Sequence, residues 1–146
     1  VYKRQAPSFL IWAMRDKNAA PLQRVQIIKG WVEQTTGRPF EEVIDVACSD
    51  GLTPDPLTNR CPDNGALVDI SDCSISSDRG TNEIKTVWTD ESFDSAVKSF
   101  YYVRVLENPS CRWSTWDAVK NGTKPREDLK LTIQERAWSS PIWYSY

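Results

Sequence analysis

The chain has 146 residues, carries 18 Lys and Arg against 20 Asp and Glu, and contains no histidine. This length suits a single domain with a sizeable core, and the near-neutral charge gives no case for nucleic acid or an anionic membrane as a partner. The absence of histidine excludes a Ser-His-Asp triad, a Cys-His pair and any His-containing zinc site within this chain.

The first third of the chain predicts three strands. Residues 8–14 are apolar on both faces, which is typical of a buried strand. Residues 22–32 form the second strand, and residues 42–48 form the third after the turn residues 35–39. Because a short polar turn joins them, the second and third strands are expected to pair antiparallel.

Residues 49–65 form a long loop in which Gly, Pro, Asp and Asn recur. Asp50, Asp55 and Asp63 in this loop are candidate calcium ligands, because calcium prefers oxygen ligands of this kind. Their spacing does not match an EF-hand, however, so ordinary solvated turn residues are the favoured interpretation.

The four cysteines lack the CxxC spacing of a zinc ribbon or a thioredoxin-like site. We therefore prefer two disulfides over free thiols, and disulfides indicate an oxidising compartment, so the protein is expected to be periplasmic or secreted. The favoured pairing joins Cys48 to Cys61, which closes the long loop, and Cys73 to Cys111. Four cysteines nevertheless allow three connectivities.

The middle of the chain predicts a short strand over 66–70 and another over 83–89. Residues 100–106 are the densest run of aromatic and β-branched residues, and such residues favour strands. Large side chains on both of its faces predict a central strand that is covered on both sides. Arg104 in the middle of this strand requires a carboxylate or several carbonyls as partners.

The last third predicts one short helix and a closing strand. Ser114 or Thr115 is expected to cap a helix over 116–120. Residues 132–144 read as a strand that is interrupted at Pro141, and proline places such a strand at an edge. Because the chain has about seven short strands and no βαβ alternation, it predicts a mainly β fold over 1–146. We expect one antiparallel β-sandwich-like domain with long loops and one or two short helices.

Two groups of side chains are candidate interface or ligand residues. Arg104 and Arg136 lie in strand-like runs near Glu107 and Glu135, and a structural ion bridge is favoured over an anion site.

Arg112, Trp113 and Trp116 form the second group and could stack as a cation–π cluster. They could instead face another domain or hold a sugar ring. Ordinary packing is the favoured interpretation for aromatic residues at this spacing.

Several segments resemble the C-terminal end of a bacterial family of unknown function. The residues that carry the resemblance are 21–31, 87–90, 93–94, 100–109, 112–113 and 134–144. The similarity covers nearly the whole chain from about Ala6. Members of this family are placed near the PHP (polymerase and histidinol phosphatase) superfamily, and their upstream part resembles a metal-dependent phosphoesterase with His and Asp ligands.

The resemblance implies that any divalent metal of the parent protein is bound outside this chain, which has no histidine. No catalytic or cofactor-binding residue can be mapped here. The resemblance implies a non-catalytic C-terminal piece of an exported protein that packs against a missing N-terminal hydrolase domain or shapes its cleft. The chain does not begin with Met, so we expect a fragment or a processed piece of something longer. The alternative is an autonomous carbohydrate- or protein-binding module that uses exposed tryptophans.

Overall fold

The computed structural model describes residues 5–145 and is mainly β, with antiparallel sheets, as the sequence predicts. The elements in chain order are β1 Ser8–Met14, β2 Leu22–Val32, β3 Pro39–Cys48, β4 Glu83–Thr89, β5 Ser99–Glu107, β6 Ser110–Cys111, α1 Trp113–Lys120, β7 Thr132–Ile133, β8 Arg136–Trp138 and β9 Ile142–Tyr144.

The main sheet has five strands and is centred on β5. Its order is β3-β2-β5-β8, and β9 pairs with β5 beside β8. Every pairing in it is antiparallel. The prediction that the run 100–106 forms a central strand is therefore confirmed, as is the antiparallel pairing of the second and third strands. The expectation that both faces of this strand are covered is met only in part, because Phe100, Tyr102, Arg104 and Leu106 on the face opposite Tyr101 are half-buried.

A two-stranded ribbon of β1 and β4 covers one face of the main sheet. Val25, Ile27 and Tyr101 point from the sheet into the core, where they meet Ile11 and Ile84 from the ribbon. Successive side chains of a strand point to opposite faces, so the alternation along β2 and β5 selects the inward set. Burying one such aliphatic side chain contributes about 1.5–3 kcal/mol, so this small cluster holds the two layers together.

The prediction that residues 8–14 are buried on both faces is wrong. Only Ile11 of β1 is fully buried, whereas Leu10, Trp12 and Met14 are 81%, 63% and 70% exposed. The physical reason is that β1 pairs with β4 alone, and no layer of the described residues covers the outer face of this ribbon.

The predicted strand over 66–70 is also wrong, because this segment makes only an isolated bridge between Val68 and Ile75. Asp69 and Asp72 instead accept hydrogen bonds from the backbone N–H groups of Ser71 and Ser74. Such local side-chain bonds compete with a strand ladder and favour turns.

The helix starts three residues earlier than predicted. It begins at Trp113, and its N-cap residue, Arg112, makes no capping hydrogen bond with its side chain. Thr115 is not a cap, because it is the third residue of the helix, and its hydroxyl donates to the carbonyl of Leu131 at 2.8 Å. The predicted closing strand is present as separate short strands, of which β8 and β9 lie on either side of Pro141 at the sheet edge.

Both disulfides have the pairing that the sequence analysis favours. Cys48 is bonded to Cys61, across 13 residues, and Cys73 is bonded to Cys111, across 38 residues. Each bridge stabilises the loop-rich half of the chain by about 2–4 kcal/mol, because it restricts the unfolded state. No helix within residues 5–145 is long and apolar enough to cross a membrane.

Candidate functional site

The main sheet extends beyond the ribbon that covers its inner face. Ala137 of β8 and Ile142 of β9 lie opposite Val105 and Tyr101, on the core-facing side, yet both are exposed. A groove of about 390 Å³ opens between β1 and β8. We call it the apolar groove; its walls include Trp12, Met14, Val103, Val105 and Ala137.

The outer face of the ribbon continues this apolar surface. Leu10, Trp12 and Met14 alternate along β1, and Val87 of β4 lies opposite Leu10. Val87 is 65% exposed, like its three neighbours, and we call these four side chains the apolar stripe. Lys85 and Glu83 of β4 border the stripe, because the Trp12 indole donates to Glu83 at 3.1 Å and the Lys85 Nζ lies 4.5 Å from the Trp12 ring centroid. Exposed apolar side chains grouped within a polar border often mark an interaction site. The groove and the stripe meet at Trp12 and Met14, so they form one surface.

On the face of the main sheet that points away from the ribbon, the buried carboxylate of Asp45 in β3 holds several polar side chains together. Asp45 is 2% exposed and accepts hydrogen bonds from the Arg24 guanidinium at 2.9 Å, the Gln26 amide at 2.6 Å and the backbone N–H of Cys61 at 2.7 Å. Three donors satisfy the oxygens of this carboxylate, as a buried charge requires. Arg24 in turn donates through Nε to Gln23 Oε1 at 2.9 Å.

The polar network continues from Gln23 into the long loop. Gln23 donates to Asn64 Oδ1 at 3.1 Å, and Asn64 donates to Asn108 Oδ1 at 2.8 Å and to Asp50 Oδ2 at 3.0 Å. Burial opposes ionisation of Asp50, but hydrogen bonds from Ser49, the Gly80 backbone and Asn64 hold its pKa below the ordinary value. This network and the Cys48–Cys61 bridge fix the loop against the sheet.

A second cleft, of about 790 Å³, lies at the end of this network and is lined by positively charged side chains. Arg24, Arg112, Lys130 and Arg136 line it, and we call it the basic cleft. Asp63 and Glu135 are the carboxylates in its lining, and Gln23, Gln134 and Trp138 supply amides and an indole. Its walls come from β2, β8, the start of α1 and the segment leading into β7.

The structure brings Arg112 and Arg136 of the candidate residues together in the basic cleft, but it does not pair them as the sequence analysis expects. Within residues 5–145 no ion pair joins Arg104 or Arg136 to Glu107 or Glu135. Arg104 donates through Nε to the amide oxygen of Gln26 at 2.7 Å. The predicted ion bridge is therefore wrong, because a half-exposed arginine here needs only a neutral acceptor.

The predicted cation–π cluster around Arg112 is not formed either. In the described part of the chain the cation over Trp116 is Lys120, whose Nζ lies 5.6 Å from the ring centroid, one helical turn further on. Trp113 is 74% exposed and Trp116 is 43% exposed, so these rings are not core residues.

Two of the three candidate calcium ligands cap turns, and the third belongs to the polar network. Asp55 accepts from the backbone N–H groups of Leu57 and Thr58, and Asp63 accepts from that of Gly65. Asp50 belongs to the polar network already described. Between residues 5 and 145, no three His, Cys, Asp or Glu side chains are grouped so that they could hold a metal ion.

A second buried ion pair fixes the contact between the ribbon and the main sheet, and the sequence analysis missed it. Asp90 is 1% exposed, its Oδ2 lies 2.6 Å from Lys29 Nζ, and it accepts the Tyr101 hydroxyl at 2.7 Å. Burial alone would raise the pKa of Asp90, but hydrogen bonds from Lys29, Tyr101 and Ser92 lower it below the ordinary value. Burial raises the pKa of Tyr101, and its hydrogen bond to Asp90 raises it further.

The positions of these residues along the chain did not predict that they would form sites. Lys29 and Asp90 are 61 positions apart in the printed sequence, and only the packing of two layers brings them together. The one available signal was a charged residue next to apolar residues within a strand, as with Lys29 after Ile28 in β2 and Asp45 after Ile44 in β3. Such residues need partners, but the sequence does not say which.

Comparison with known proteins gives one match. No curated protein and no solved structure matches the chain. One family model, however, matches residues 1–146, and its description is "Protein of unknown function (DUF3604)". Since this match spans the whole of the mainly β fold described above, the chain belongs to the DUF3604 family of proteins of unknown function.

Proposed function

We propose that this chain is a non-catalytic β-rich domain of an exported bacterial protein related to the PHP metal-dependent phosphoesterases. In this proposal the domain packs against the hydrolase part of the same protein, or shapes its cleft, through the apolar groove and the apolar stripe. The divalent metal of the parent protein would then be bound by histidine and aspartate ligands on that other part, since this chain has no histidine.

The open inner face of the main sheet is the observation that carries this proposal. Val103 and Val105 pack against the core cluster, yet they are only partly buried and line the apolar groove, because nothing in the described chain covers the sheet beyond β1. Ile142, on the same face, is 57% exposed. A sheet face that is left uncovered at the edge of the core, next to exposed Trp12 and Met14, is typical of a surface that another polypeptide covers.

Export is supported by the two disulfides, which use all four cysteines of the chain. Disulfides form and persist in the periplasm and outside the cell but are rare in the reducing cytosol. A thiol titration of the denatured protein without reductant tests this part of the proposal. We expect no reactive thiols, and four reactive thiols would contradict it.

The docking proposal is tested by binding in trans. The chain and the remaining part of its parent protein would be produced separately, and their affinity measured by calorimetry. We expect a 1:1 complex, and we expect Trp12→Ser with Met14→Ser to weaken it by about tenfold or more, because buried aromatic anchors dominate interface energies.

Leu57→Ser provides the matched control, because Leu57 is 92% exposed but lies outside both the groove and the stripe. The control variant is expected to bind like the unmodified chain. If the two parts do not associate, or if the control weakens binding as much as the double variant, the docking proposal fails.

An autonomous carbohydrate- or protein-binding module is the second candidate, and exposed tryptophans favour it. Trp113, Trp138 and Trp143 are 74%, 59% and 72% exposed. Aromatic side chains that keep one face in water are frequent at binding surfaces. An array of uncharged glycans probed with the isolated chain distinguishes the two candidates, since only the module should retain a neutral glycan without the rest of the parent protein.

A further inference from the structure

We propose that the basic cleft binds a small organic oxyanion, in which a phosphate, sulfate or carboxylate group is attached to a ring-shaped body. This inference goes beyond the docking role and does not depend on it. Arg112 and Lys130 line the basic cleft but not the apolar groove. Glu135, Arg136 and Trp138 line both surfaces, so the cleft is tested through Arg112 and Lys130, which line the cleft alone.

Arg112 provides the first argument. Its Nε atom is buried and has no hydrogen-bond partner, and it is the one buried side-chain nitrogen or oxygen of this kind within residues 5–145. A buried unsatisfied donor costs about 1–3 kcal/mol, and more when it is charged. Nε itself is too buried to meet a ligand, so the donors that Arg112 offers to the cleft are the terminal N–H groups of its guanidinium, whose planar fork matches oxyanions.

The charge in the cleft provides the second argument. Arg112, Lys130 and Arg136 form no ion pair in the part of the chain that the structure describes. Two carboxylates also line the cleft, and one of them, Asp63, is held by the backbone N–H of Gly65. Three unpaired cations against two carboxylates leave an excess of positive charge that favours an anionic ligand.

The floor of the cleft is already fixed without a ligand. Gln134 donates through Nε2 to Gln23 Oε1 at 2.9 Å and to the carbonyl of Glu107 at 3.0 Å. Arg24 is held by Asp45 at 2.9 Å, so its charge is neutralised and its position is set. A site whose walls are rigid loses less entropy on binding than a flexible one.

Trp138 indicates what the anionic group is attached to. Its side chain lines the cleft and is 59% exposed, so an apolar surface stands beside the three cations. Sites for small ligands combine a few polar anchors with aromatic or apolar walls. The volume of about 790 Å³ is large enough for a ring with its anionic group.

The test is calorimetric titration of the chain with glucose 6-phosphate, glucuronate, inorganic phosphate and glucose. We expect the two charged sugars to bind, glucose not to bind, and inorganic phosphate to bind more weakly than glucose 6-phosphate. The stronger of the two charged sugars identifies the anionic group as a phosphate ester or a carboxylate. Equal binding of inorganic phosphate and glucose 6-phosphate would overturn the role of Trp138, and binding of none of the anions would overturn the whole proposal.

Variants locate the site. Arg112→Gln and Lys130→Gln are each expected to weaken binding of the charged sugars by about tenfold, because each removes a charge-assisted hydrogen bond. Lys130 is exposed, so its variant keeps the proposal testable if Arg112→Gln fails to fold. Arg38→Gln, in the exposed turn between β2 and β3, is the control and should leave binding unchanged. Binding that persists in both cleft variants, or that Arg38→Gln weakens equally, would contradict the assignment.

Discussion

The backbone N–H of Cys61 donates to the carboxylate of Asp45 at 2.7 Å, which joins the disulfide loop to the buried middle of β3. The bond lies beside the bridge from Cys48 to Cys61, so the loop is attached to the sheet at two adjacent points. The carboxylate also holds Arg24, and through Arg24 it positions one wall of the basic cleft. Stability of the loop and shape of the cleft therefore depend on the same side chain.

Replacing Asp45 is expected to be strongly destabilising. Asp45→Ala would leave Arg24 and the Cys61 N–H without their acceptor, and removing one partner of a buried pair costs about 3 kcal/mol or more. Urea denaturation measures the loss. Arg60→Gln is the matched control, because Arg60 lies 3.5 Å from the same carboxylate but its side chain is 49% exposed. We expect less than about 1 kcal/mol for the control, as for other exposed pairs, and equal losses would show that burial does not decide the effect.

The two disulfides are expected to differ in their contribution to stability. Cys73–Cys111 spans 38 residues and Cys48–Cys61 spans 13, so the longer bridge restricts the unfolded chain more. The chain-entropy relation gives a difference of about 1 kcal/mol in favour of the longer bridge. We therefore expect the double variant Cys73→Ser with Cys111→Ser to unfold at lower urea than Cys48→Ser with Cys61→Ser. The reverse order would mean that native contacts around the shorter bridge outweigh loop length.

The sequence predicted strands correctly where the local pattern of residues determines the structure. β2 and β5 carry β-branched and aromatic residues on alternating faces, and the structure places both in the middle of the main sheet. In both strands one alternate set, which includes Val25 and Tyr101, packs against the ribbon. The same logic failed for β1, since its apolar outer residues look like core residues until the absence of a covering layer is known.

The candidate sites could not be derived from spacing, because their members come from distant elements. Arg112 precedes α1, Arg136 lies in β8 and Arg24 lies in β2, and only the closing of the sheet edge brings them to one cleft. Likewise, the sequence shows that Asp45 needs a partner, but it does not show that the partners are Gln26, Arg24 and a backbone N–H from the loop. A buried charge requires hydrogen-bond partners, and only the tertiary contacts determine which groups supply them.

Gly30 is expected to tolerate no side chain while Phe100 keeps its position. The two residues are register partners on neighbouring strands, and a Cβ placed on Gly30 would overlap the Phe100 ring. Gly30→Ala should therefore cost about 1–3 kcal/mol in unfolding free energy, as overpacking does. In a Phe100→Ala background the same change should be neutral or slightly stabilising, because Ala is less flexible than Gly in the unfolded chain. A thermodynamic cycle over the two sites measures this coupling, and additive effects would contradict the overlap.

The cluster of Asp90, Lys29 and Tyr101 predicts how stability responds to acid. Although burial opposes it, hydrogen bonds from Lys29, Tyr101 and Ser92 lower the pKa of Asp90 in the folded state, below the value of 3.8 that is usual for an unfolded chain. A group with a lowered folded pKa stabilises the fold fully above its unfolded pKa, and this contribution is lost as pH falls through the folded pKa. The free energy of unfolding should therefore decrease from about pH 5 downwards.

Comparison of variants isolates the part that Asp90 contributes. Burial raises the pKa of Glu107, so its contribution has the opposite sign: it is present below the unfolded pKa and lost as pH rises through the folded pKa. We expect Asp90→Asn to cost about 3 kcal/mol near neutral pH, since it breaks a buried pair with Lys29, and to cost progressively less towards pH 3. Urea titrations from pH 3 to pH 7 measure the two curves, and the exposed Glu127→Gln serves as the control. Parallel curves for Asp90→Asn and the unmodified chain would show that Asp90 does not link stability to pH.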